Sequence, residues 1–164
     1  MDIFDYAMKM EEDGQAFYLE YAEKTNFPEL KKILVELADD ELKHYNIFKA
    51  MRDNKPAEYK ESERTTILST VKNAFDQLKS EKQELSFKSE AISIWEKACE
   101  IEKKAEEFYR DKTNEIDNEK QKRIINQIAD EEHRHMIILD NVVQFLNQPQ
   151  QWLEDAEWSK LEDF

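Results

Sequence analysis

The sequence predicts an all-α fold, a four-helix bundle with one long crossover, on three observations. The 164-residue chain contains one glycine and three prolines, too few for a fold rich in hairpins or βαβ crossovers, whereas long helices with short links need almost none. Four long segments repeat apolar residues at steps of three and four. The links within the first and second pairs of segments are short, while the connection between the pairs runs from 53 to 86, as in a bundle with a crossover.

The first helix is predicted over 3–25, ending before "TNFP", with an inward seam of Phe4, Ala7, Glu11, Gly14, Tyr18 and Tyr21. The second is predicted over 28–52, with Pro28 suited to its first turn, and it stops at "RDNKP". Its seam is Leu30, Leu34, Leu37, Glu41, His44, Phe48 and Met51, an apolar stripe with two polar intruders at mid-length. Within the crossover, Ile67, Leu68, Val71, Phe75 and Leu78 keep helical spacing, which predicts an extra helix packed on the bundle. The third main helix, over 87–114, carries Ala91, Trp95, Ala98, Glu102, Ala105 and Tyr109. The fourth, over 118–147, carries Ile125, Ile128, Glu132, His135, Leu139 and Val142, and ends at "NQPQ". After Pro149 the tail restarts as a short helix with Trp152, Leu153, Ala156 and Leu161 on one edge. Residues 1–147 therefore read as one bundle domain, and 148–164 as a helical tail docked on it or on a partner subunit.

Charge and composition exclude several functions. A net charge of -14 repels nucleic acid and anionic membrane and attracts cations. Cys99 is the single cysteine, so the chain holds neither a disulfide framework nor a Cys-x-x-Cys metal site. The acidic start "MDIFDYAMKMEED" lacks the features of a signal peptide, and no apolar run is long enough to span a membrane. A cytoplasmic location is expected.

The chain also repeats itself at an offset of 91 residues. Glu11 matches Glu102, Tyr18 matches Tyr109, Glu41 matches Glu132, and His44 matches His135. Two copies of one helical hairpin, related by an approximate twofold axis, would set these residues opposite one another at the centre. Each main helix then places a Glu in the core, and two add a His one turn on. Four ionised carboxylates cannot share a low-dielectric interior, where desolvation alone costs several kcal/mol per ion. Two divalent cations would neutralise them, and imidazole with carboxylate suits iron or manganese, with zinc as a third option. A Glu from two helices and Glu-x-x-His from two others is the donor set of di-iron and di-manganese carboxylate bundles.

With the motifs "KMEEDGQAFY", "DDELKH", "EIEKKAEEFY" and "DEEHRH", the chain resembles the ferritin-like superfamily, and within it the erythrin domain of the rubrerythrin family, over all four main helices. The resemblance implies a ferritin-like antiparallel bundle binding two iron ions, bridged by Glu41 and Glu132. Glu11 and Glu102 would cap one ion each, and His44 and His135 would complete the two sets. Two departures stand out. The chain has no rubredoxin-like Cys-x-x-Cys pairs, so electrons would come from a separate donor such as a rubredoxin-like protein. The family's additional Glu, three residues after the third-helix ligand, is Ala105 here, with Glu106 next to it as the candidate substitute ligand.

Glu12, Asp39, Asp40, Asp130, Glu131 and His133 fall off the seams and read as a solvated face. Asp39 and Asp130 could also accept from the outer N–H of a ligand imidazole. Tyr18 and Tyr109 are candidates to hydrogen-bond a ligand carboxylate or supply an electron, with core packing as the alternative. Small residues at Gly14 and its counterpart Ala105 would leave room beside the metals for oxygen, peroxide or water, with close helix packing as an equal alternative. Cys99 reads as a buried, inert thiol. The resulting expectation is a di-iron oxidoreductase reducing H2O2 or O2, working as a homodimer or higher homo-oligomer. The alternatives are a ferroxidase or iron-storage protein and, third, an interaction module with structural metals.

Overall fold

The computed structural model describes residues 2–58, 65–80 and 87–148. The tail helix expected beyond Gln148 lies outside the described residues. Helix α1 spans Ile3–Lys24 and begins where the Asp2 carboxylate accepts the Asp5 N–H at 2.9 Å, satisfying one of the orphan donors of the first turn. Helix α2 spans Pro28–Arg52. It closes at Asn54, whose φ of 51° is a left-handed conformation that Asn tolerates, and the Lys55 N–H returns to the Ala50 carbonyl at 3.0 Å. Helix α3, Ile67–Ser80, is the crossover helix. Helix α4 spans Ser89–Lys112 and tightens into a 3-10 turn, Thr113–Glu115. It starts two residues later than the pattern predicts because Phe87 turns into the apolar end of the bundle, its ring 5.2 Å from that of Phe27 and 6.2 Å from that of Phe145. Helix α5 spans Glu119–Asn147, with the Asn118 side chain accepting the Gln121 N–H at 3.0 Å.

α1 pairs with α2 and α4 with α5, and α3 lies against α2 and α5. The crossover helix is held by apolar burial: Ile67, Val71, Phe75 and Leu78 are fully buried, and Phe75 stacks on Phe145 at 4.0 Å. Each such side chain contributes about 1.5–3 kcal/mol, so α3 is an integral part of the fold. Among the described residues no helix is long and apolar enough to cross a membrane.

The core is divided. One apolar cluster contains Leu34, Leu37, Trp95, Ala98, Leu139 and Val142; the other contains Ala7, Phe48, Met51, Ala105, Ile125 and Ile128. Between them, at mid-bundle, lies a layer of acids and imidazoles.

Candidate metal centre

The seam spacing of α1, α2, α4 and α5 carries Glu11, Glu41, His44, Glu102, Glu132 and His135 into that layer, and none is more than 3% exposed. Their donor atoms form two overlapping groups, Glu11, Glu41, His44 and Glu132, and Glu41, Glu102, Glu132 and His135. Within each group the atoms lie within 4.8 Å of one another, close enough to hold a metal ion. Glu41 and Glu132 belong to both groups. His44 Nδ1 lies 2.8 Å from Glu132 Oε1 and 3.5 Å from Glu11 Oε1. His135 Nδ1 lies 3.4 Å from Glu102 Oε1 and 3.9 Å from Glu41 Oε1.

Close as they are, these groups do not satisfy one another. Glu11 Oε2, Glu41 Oε1, Glu102 Oε2, both Glu132 oxygens and both Nδ1 atoms are buried with no hydrogen-bond partner. Buried polar atoms are almost always bonded, and an unsatisfied one costs about 1–3 kcal/mol. A convergent set of orphan oxygen and nitrogen donors is chemically fitted to a divalent cation.

Burial, reinforced by the neighbouring carboxylates, pushes Glu41 and Glu132 well above the usual carboxylate range. Glu102 goes the other way: burial opposes its charge, but His135 and the Tyr18 hydroxyl hold it down at about 2. Burial likewise disfavours a charged His135, and Glu102 and Asp40 outweigh it, raising the imidazole well above its usual value. Without a cation, burial thus favours the protonated forms of Glu41 and Glu132, while Glu102 and His135 favour their charged forms as a pair.

The tyrosines repeat the twofold relation. Tyr18 Oη donates to Glu102 Oε1 and Tyr109 Oη donates to Glu11 Oε1, each at 2.6 Å. Both are essentially inaccessible, and burial first, then the acid each one bonds, raises both phenols well above their usual range. They remain protonated donors that fix one oxygen of Glu102 and one of Glu11 and leave the other oxygen of each without a hydrogen-bond partner.

Gly14 meets the site directly. A methyl group there would lie 2.9 Å from Glu41 Oε2 and 3.4 Å from its Cδ, so the glycine makes the notch in which that carboxylate sits. Gly14→Ala should gain up to about 1 kcal/mol of helix stability and displace the flexible Glu41 carboxylate. The expected result is a metal-free variant at least as stable as the parent in urea, with metal affinity lowered about tenfold, as for other changes beside a ligand. Parental affinity in a titration would show that the notch is unimportant.

Other expected residues lie elsewhere. Glu106 does not join the donor groups: its carboxylate is taken by Arg110 Nε at 2.8 Å and His133 Nδ1 at 3.0 Å, on the outer side of α4 and α5. Asp39, Asp130 and Glu12 are exposed, and Asp130 pairs with Arg110 at 2.9 Å. The acid that meets an imidazole is Asp40, 2.9 Å from His135 Nε2, and not Asp39 or Asp130. Glu131 is 3% exposed rather than solvated, because the Thr65 N–H and Arg134 satisfy it. The signal for both acids was present, since Asp40 and Glu131 stand four residues before His44 and His135 and obey the 91-residue offset. Thr65, on the crossover, has no such counterpart. Cys99 is partly buried, and burial with nearby acids pushes its thiol up to about 12.

No curated protein and no solved structure matches the chain significantly. The rubrerythrin family model matches residues 2–97 and 93–162, together nearly the whole length. That match spans all four helices that supply the acid and imidazole layer, and the chain belongs to the rubrerythrin family.

Proposed function

We propose that the protein binds two iron ions at this centre and reduces H2O2 or O2 with electrons from a separate donor such as a rubredoxin-like protein. The observation that carries the reading is the sharing of Glu41 and Glu132 by both donor groups. Glu11, Glu41, His44 and Glu132 would hold one ion, and Glu41, Glu102, Glu132 and His135 the other; manganese or zinc would fit the same donors. Iron bound there would supply one-electron redox chemistry at two adjacent ions. The residues do the rest. Tyr18 and Tyr109 anchor the terminal carboxylates, Glu41 and Glu132 take up changes of charge, and the flanking apolar clusters exclude bulk water.

A second reading, oxidation and handling of Fe2+ itself, is favoured by one feature. Ala105 stands where the resemblance leads one to expect a further Glu ligand, and Glu106 is committed to Arg110 and His133. The test is anaerobic loading with Fe2+, a metal count per chain, then separate mixing with H2O2 and O2. Two irons per chain and faster oxidation by H2O2 support the peroxidase reading. Uptake of many irons per chain with O2 consumption supports the second reading, and a count well below two sinks the dinuclear centre.

A further inference from the structure

The two halves of the centre repeat in sequence but are not equivalent in their surroundings. His135 presents Nδ1 to the acids, and its Nε2 lies 2.9 Å from Asp40 Oδ2. The same Asp40 oxygen accepts the Thr65 hydroxyl at 2.7 Å. That hydroxyl accepts the Ile67 N–H at 3.2 Å, so it is fixed by the first residue of α3, which is fully buried. Thr65 also donates its backbone N–H to Glu131 Oε2 at 2.8 Å, and Glu131 Oε1 is taken by Arg134. Asp40 and Glu131 are repeat-related, each one turn before a histidine. One of them supports a ligand-type imidazole, while the other is bound to the crossover and an arginine. Among the described residues no carboxylate hydrogen-bonds His44 on its outer side.

We infer that Thr65 is a positioning residue that makes the two metal positions unequal, by clasping Asp40 against His135 while holding Glu131 to the crossover. The inference rests on the dinuclear reading above. An imidazole whose outer N–H is held by a carboxylate is fixed in tautomer and orientation and is the more basic ligand. Asp40 has a side chain 17% exposed, so without the hydroxyl it can turn toward water. The position formed by Glu41, Glu102, Glu132 and His135 therefore fills first and binds more tightly than the one containing His44. The clasp also links the centre to the seating of the crossover helix, since Thr65 joins α2 to α5 and leads into α3.

The experiment is anaerobic titration of the full chain with Co2+, followed by calorimetry and by the visible bands of the bound ion. Two steps are expected for the parent, with His135→Ala removing the tighter and His44→Ala the weaker. Thr65→Val should weaken the tighter step about tenfold, the scale of effect for a residue supporting a metal ligand, and leave the weaker step within about twofold. Thr65→Ser should restore the parental constants. Asp40→Asn, which leaves Thr65 in place, should weaken the same step and serves if the valine variant does not fold. Equal steps in the parent overturn the inference, and so does a Thr65→Val variant that melts lower while the ratio of the two constants is unchanged. Failure of the dinuclear reading is separately visible, as a parental stoichiometry below two ions per chain.

Discussion

Loading the metal-free protein with a redox-inert divalent ion at pH 7.5 is expected to raise its melting temperature by about 10–20 °C and to invert its pH dependence. Binding at a hundredfold excess over Kd stabilises by about 2.7 kcal/mol per site. Two sites give about 5 kcal/mol, and a protein of this size shifts by about 2–4 °C per kcal/mol. The inversion follows from the shifted proton affinities of the empty cluster. Glu41 and Glu132 are raised well above 4.5 in the fold, so their contribution is complete below that pH and is lost as pH rises through the folded values. His135 is raised well above 6.5 and acts in the same direction: its contribution is complete below 6.5 and disappears on the alkaline side. Glu102, held at about 2, and Asp40, lowered from 3.8, contribute above their unfolded values and lose that contribution only as pH falls. The metal-free protein should be most stable near pH 5 and weaken toward pH 8. A cation requires the same ligands deprotonated, so the loaded protein should gain stability over that interval. Calorimetric melting from pH 5 to 8, with and without Zn2+, measures both slopes; parallel curves would show that the cluster does not exchange protons for metal.

The bundle was legible because its information is periodic. Each seam from Leu30 to Met51 or Ile125 to Val142 repeats at helical spacing, and every member of these two seams is buried. Mid-length acids in an apolar stripe are conspicuous for the same reason, so the six donor residues stand out in the sequence itself. What periodicity could not reveal was the role of residues beside the seams. Glu131 adjoins Glu132 but falls off the seam, where the sequence pattern predicts solvent, yet the crossover covers it. Asp40 falls off the seam beside Asp39, and only the packing of α2 against α5 shows that Asp40 meets His135. Glu106 looked available as a ligand, but Arg110, one turn further along α4, draws it outward. The outcomes for Glu131 and Asp40 depend on contacts between segments far apart in sequence, whereas the Glu106–Arg110 pair is local, four residues apart on one helix, and its spacing is legible in the sequence.

Replacing Glu132 with Gln should separate stability from metal binding, since the two place opposite demands on this carboxylate. Glu132 is completely buried with neither oxygen hydrogen-bonded, and it belongs to both donor groups. Gln has nearly the same shape and no charge to desolvate. Burial favours the protonated form of Glu132, and lowering the pH toward 5 favours it further, so there the metal-free variant should melt closer to the parent. At pH 8 the parent must either retain that proton against the solution or bury the charge, and the variant should be more stable by about 1–3 kcal/mol, a typical gain on removing a poorly compensated buried charge. That corresponds to roughly 2–12 °C in melting temperature. The same variant should lose at least one metal ion, as should Glu41→Gln, because either change removes a donor from both positions. Glu11→Gln and Glu102→Gln remove a donor from one position only and should each spare the other ion. Urea denaturation at the two pH values, paired with metal counts for the four variants, measures both effects. A Glu132→Gln variant that is less stable than the parent at pH 8 and still binds two ions would mean that the acid is held by its protein neighbours and not for a cation. The opposite pattern, a pH-dependent gain in stability with loss of metal, would show that this layer of the core is maintained at the expense of the fold because the cation needs it.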